Sequence, residues 1–82
     1  MTKTSSAAGL SPGSVAIVRE LSAQGALRRR LQDLGFVPGA MVECLGQSPL
    51  GDPCAYRVRG TVIALRSSDA GAIQILPFQR GA

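Results

Sequence analysis

Histidine and tryptophan are both absent from these 82 residues, and the aromatic residues are limited to Phe36, Tyr56 and Phe78. Without histidine, the familiar zinc and haem ligand sets and the nucleophile–base pairs of hydrolases are missing. With so few rings, a core must be assembled from Val, Ile, Leu, Ala and Met. Cysteine is scarce too. Cys44 and Cys54 fit no zinc or redox spacing and read as free, partly buried thiols of a reducing compartment. Long apolar runs are lacking: the longest, Val62–Leu65 and the equally long Val15–Val18, fall far below the ~20 residues a membrane-spanning helix needs. No apolar segment follows Lys3 as a signal peptide would require. A cytoplasmic protein is expected, with any membrane role exercised through a partner.

What the chain does have is arginine and glycine. Lys3 is the only lysine beside eight arginines, and the net charge is +4. That balance suits an acidic protein surface, nucleic acid or anionic lipid. Ten glycines and five prolines call for many turns and short strands. The length allows one domain with one core.

Residues 1–9 lack periodicity and read as a disordered tail, with the domain spanning 10–77 and a short tail at 78–82. After the turn signal Ser11-Pro12-Gly13, β-branched Val15, Ile17 and Val18 make Val15–Leu21 a first strand. Leu27, Leu31 and Leu34 then recur at helical spacing, predicting a helix over Ala23–Leu34 with Ser22 as N-cap and Gly35 as C-cap. Met41–Leu45 and Cys54–Arg59 form a hairpin around Ser48–Pro53. Gly60 is read as a sharp bend into a fourth strand, Thr61–Arg66. Ser67–Gly71 is a helical turn capped by Ser or Asp, and Ala72–Leu76 a fifth strand. The expected class is all-β (mainly β): a small, bent, five-stranded barrel with one short helix after the first strand and a helical turn before the last.

Catalysis finds no support. Glu20, Asp33, Glu43, Asp52 and Asp69 are scattered, and no phosphate-cradling glycine loop precedes a helix. The residues best suited to a divalent metal (Fe2+, Mn2+ or Zn2+) are Glu43, Asp52 and the thiol of Cys44, but no short spacing joins three such groups. Glu43 and Cys44, as neighbours on a strand, point to opposite faces and cannot serve one site together. No cofactor is therefore required by the sequence. The arginines form two groups: Arg28, Arg29 and Arg30 on the exposed side of the helix, and Arg57 and Arg59 on one face of the third strand. Single-strand-binding barrels place stacking aromatics beside a basic groove. The one candidate here, Tyr56, alternates to the inner face, which argues against nucleic acid.

The run Arg30-Leu31-Gln32-Asp33-Leu34-Gly35-Phe36-Val37-Pro38-Gly39 resembles the Arg-Leu-x-x-Leu-Gly-hydrophobic-x-Pro-Gly segment of the FeoA family. Ser48-Pro49-Leu50-Gly51-Asp52-Pro53 is similar to that family's hairpin loop, and Arg59–Arg66 to its strand-turn-strand ending in Ala-Leu-Arg. The resemblance covers about residues 10–76. It implies an SH3-like barrel and a non-enzymatic, cytoplasmic accessory role in bacterial ferrous iron transport. The implied partner is the cytoplasmic region of the membrane permease FeoB. Similar domains end metalloregulators of the diphtheria toxin repressor type, so a barrel that binds a divalent metal directly is the alternative expectation. Arg28, Arg29 and Arg30 are the expected partner-binding residues. Self-association is left open.

Overall fold

Val15–Leu21 forms the central long strand, and the computed structural model in which it lies describes residues 5–49 and 51–77. Residues 1–4 of the expected N-terminal tail, the whole expected C-terminal tail 78–82, and Leu50 lie outside the described residues. Six strands occur among those described: β1 (Ser5–Ser6), β2 (Val15–Leu21), β3 (Met41–Gln47), β4 (Cys54–Val58), β5 (Thr61–Leu65) and β6 (Ile73–Pro77). Helix α1 (Gly25–Leu34) follows β2, and α2 (Ser67–Ala70) joins β5 to β6. All pairings are antiparallel, in the order β1-β6-β2-β3-β4-β5. Five of the strands are those expected from the sequence.

Alternation places Ala16 and Val18 of β2 inside. A bulge between Val18 and Glu20 then shifts the parity by one, which lets Leu21 also face the core. A second bulge, between Cys44 and Gly46, bends β3 against β4. Helix α1 seals one side through Leu31, wholly buried, with Leu27 and Leu34 packed beside it. Gly35 ends the helix at φ 111, a left-handed conformation that glycine adopts without a steric penalty.

Several expectations need correction. Residues 5–9 are docked where a disordered tail was expected: Ser5 and Ser6 pair with Ile75 and Gln74, and Ala7, in a short 3-10 turn, is completely buried. The physical reason lies across the core, where the buried Tyr56 hydroxyl donates to the Ala7 carbonyl at 3.1 Å. That bond ties the turn after edge strand β1 to β4, beside the opposite edge, so the sheet rolls round its core. Ser22 does not cap α1. Its hydroxyl donates to the Ala72 carbonyl, and the helix begins two residues later with Gln24 at the cap position. Gly60 makes no bend within a strand but is half of a two-residue hairpin: Val58 pairs with Thr61, and Arg59 and Gly60 both have positive φ, 52 and 79. The core also departs from the aliphatic set expected, since its two largest fully buried side chains are Tyr56 and Phe36 while Met41 is 49% exposed.

Candidate functional site

The leucine spacing that buries one side of α1 turns Arg28, Arg29 and Arg30 outward. All three are exposed, and among the described residues none makes a side-chain hydrogen bond or ion pair. Three free guanidinium groups on one rigid helix are suited to carboxylates, which they can grip in bidentate fashion. Arg57 and Arg59, expected on one strand face, behave differently. Arg57 pairs with Glu43 across the β3–β4 ladder at 3.2 Å, whereas Arg59 leaves the strand for the turn. There its aliphatic stem lies over Gly35, so the β4–β5 turn meets the C-terminal end of α1. Sequence alternation could not foresee this, because it assumes the strand continues through Arg59.

The candidate metal ligands are not brought together. Glu43 is engaged by Arg57 on the outer face. Cys44 is fully buried on the inner face, as the alternation of neighbours predicts. Burial pushes its thiol above the ordinary value, a backbone hydrogen bond at Gly46 partly offsets this, and neighbouring Cys54 raises it further. A thiol held protonated is a poor ligand. Asp52 is committed elsewhere, since its Oδ1 accepts the Ser67 backbone N–H at 2.7 Å and so caps α2 from the hairpin loop. Neither Ser nor Asp within α2 does this, because its own N-cap is Arg66, without a side-chain bond. Among the described residues no three His, Cys, Asp or Glu side chains come close enough to hold a metal ion. The described residues do not fit a divalent-metal site.

Register also places the two thiols. Cys44 lies opposite Tyr56, and Cys54 opposite Gln47, so the cysteines are not direct cross-strand partners. Both are free and buried. The Cys54 thiol donates to the Gly51 carbonyl at 3.7 Å, a long contact within the hairpin loop. No helix among the described residues is long and apolar enough to cross a membrane.

The FeoA domain family profile matches residues 7–77. A fusion protein of Porphyromonas gingivalis, named Fe(2+) transport protein A/Fe(2+) transporter FeoB, is 32% identical over 66 residues. That match spans 80% of this chain but only 8% of the fusion protein. The FeoA-like protein of Clostridium acetobutylicum superposes with a TM-score of 0.87 at 30% identity, covering 100% of this chain and 95% of that one. FeoA of Stenotrophomonas maltophilia, solved with zinc and described as a prokaryotic SH3 domain protein, gives a TM-score of 0.77 at 32% identity, covering 90% and 89%. A manganese-dependent transcriptional repressor shares the fold at 16% identity, with a TM-score of 0.83 over 95% of this chain and 38% of its own. The profile match over nearly the whole domain, together with the SH3-like barrel of the described residues, identifies the chain as a member of the FeoA family.

Proposed function

We propose that this protein is a non-catalytic accessory module of bacterial ferrous iron transport that docks on the cytoplasmic region of the FeoB permease. The observation that carries the reading is the fusion relative, in which a segment 32% identical to this chain shares one polypeptide with an FeoB transporter. Fusion places two modules at high effective concentration, which fits partners that work in contact. Arg28, Arg29 and Arg30 form the docking surface, being exposed, rigidly mounted and unpaired among the described residues. The partner face is correspondingly acidic, and the contact is steered by charge. The metal-binding alternative has less support here, because Glu43, Cys44 and Asp52 are engaged or buried in separate places.

The test is a pull-down of this chain against the cytoplasmic region and the full-length form of its genomic FeoB partner, at low and high salt. Wild type should bind and weaken with salt, and the triple variant R28E/R29E/R30E should lose binding while keeping its fold. Equal capture of the triple variant would move the contact off α1. Failure of both forms of the permease to capture wild type would remove the docking reading.

A further inference from the structure

Among the described residues, strand β5 stands at one end of the sheet order and pairs only with β4. The two-residue turn sets its hydrogen-bond phase. Val58 and Thr61 close the turn as a bonded pair, so Thr61, Ile63 and Leu65 bond to β4, while Val62 and Ala64 turn their N–H and C=O groups to the open side. Among the described residues, no backbone bond from outside the ladder reaches Thr61–Leu65. Proteins commonly protect such an edge with lysine, proline or a covering segment. Thr61–Leu65 contains neither charge nor proline, and Val62, at 56%, is the most exposed large hydrophobic residue of those described. Beside the edge runs a shallow groove on the outer face, bordered by Leu45, Ser48 and Pro53 and floored by the cross-strand pair Ala55 and Ala64. Small floor residues leave room for larger side chains from an incoming strand. A cation stands at each end: Arg59 in the turn before β5 and Arg66 directly after it. Both are exposed, and neither is in an ion pair among the described residues.

We propose that β5 is a docking edge that accepts an extended protein segment as an added strand, with apolar residues at alternate positions and carboxylates at both ends. Backbone bonds to Val62 and Ala64 supply the attachment, while Val62 and the Ala55–Ala64 groove select the alternating apolar side chains. Arg59 and Arg66 select the acidic ends. Charge disfavours a second copy of this chain as the occupant. Two β5 strands paired antiparallel about Ile63 would set Arg66 of each copy opposite Gly60 and beside Arg59 of the other, opposing like charges at both ends. The inference rests on neither the α1 arginines nor the identity of the protein that supplies the segment.

The test is an amide NMR titration of the full chain with the synthetic peptide Glu-Asp-Val-Thr-Val-Thr-Val-Asp-Glu. A control peptide replaces its four acidic residues by lysine. Saturable shifts centred on the Val62 and Ala64 amides are expected, with slowed hydrogen exchange there, and the lysine-ended peptide should not produce them. Val62→Lys, a natural edge-protecting change, should weaken binding about tenfold or more. Ala64→Pro should do the same by deleting an N–H that bonds nothing within the ladder; if it fails to fold, Val62→Lys decides. Absence of binding at millimolar peptide, shifts that spare β5, equal binding of the lysine-ended peptide, or wild-type binding by Val62→Lys would each overturn the proposal. So would β5 shifts that grow with protein concentration alone, because they would show a second copy on the edge.

Discussion

Arg59 Cδ stands 2.9 Å from the position a β-carbon on Gly35 would occupy. The contact joins a helix cap to a hairpin turn, and both residues have left-handed backbones, with φ 111 at Gly35 and 52 at Arg59. Gly35→Ala should therefore destabilise the fold by about 1–2 kcal/mol, chiefly through its backbone, since the arginine stem can swing aside. Thermal unfolding should register a fall of several degrees. An unchanged midpoint would mean that the cap relaxes freely.

Arg59 is the unusual member of this pair, because a two-residue turn of this kind favours Asn before Gly. Arg59→Asn should raise stability by about 0.5–1 kcal/mol by relieving the left-handed strain. Chemical denaturation measures it. A loss of stability instead would show that the arginine stem contributes more by covering Gly35 than its backbone costs.

Tyr56 closes the barrel through its bond to the Ala7 carbonyl. Tyr56→Phe should cost about 1 kcal/mol by removing this bond, since the Ala7 carbonyl still accepts the Leu10 backbone N–H at 3.1 Å. It should also speed amide exchange in residues 5–9, which that bond helps to dock beside the pairing of Ser5 and Ser6 with β6.

The same side chain makes stability pH-dependent. Burial first, then the neighbouring Cys54, Cys44 and Asp52, hold the Tyr56 phenol well above its ordinary value of 10.0. Cys44 is likewise raised from 9.0, mainly by burial. For a group whose folded pKa is raised, the native state binds the extra proton. Its stabilising contribution is present below the unfolded value and lost as pH rises towards the folded one. Stability should be level near neutrality and decline above about pH 9–10. Denaturation midpoints measured from neutral pH upward should show this decline, and Tyr56→Phe should blunt it.

Asp52 fixes the start of α2 from a distant loop. Asp52→Ala should cost about 1 kcal/mol, and Asp52→Asn, which keeps an acceptor, less. Faster exchange of the Ser67 amide is the specific sign, while a stability change without it would place the effect elsewhere in the loop.

The helix and most strands were legible in the residues because their signals are local. Leu27, Leu31 and Leu34 mark one helical face, Gly35 marks its end, and the glycine and proline turns separate the strands. The boundaries failed where a residue serves a distant partner. Ser22 looks like a cap by its neighbours, yet it bonds Ala72, fifty residues away. Ala7 and the serines before it look like tail because nothing nearby needs them. The candidate site divides in the same way. The exposure of Arg28, Arg29 and Arg30 followed from helical period, but the separation of Arg57 from Arg59 depended on a turn that alternation did not reveal.

By itself the sequence determined the family, the mainly-β class, the order of the elements and the outward face of α1. The family came from the resemblance of Arg30–Gly39 and two later segments, and the rest from short-range spacing, turn chemistry and composition. Only the tertiary structure decided that Tyr56 reaches Ala7, that Asp52 caps Ser67, that Cys44 and Cys54 are not opposite one another, and that β5 remains at an edge. Those relations depend on strand register and on how far the sheet rolls before it closes, and a single slip or bulge changes every cross-strand neighbour.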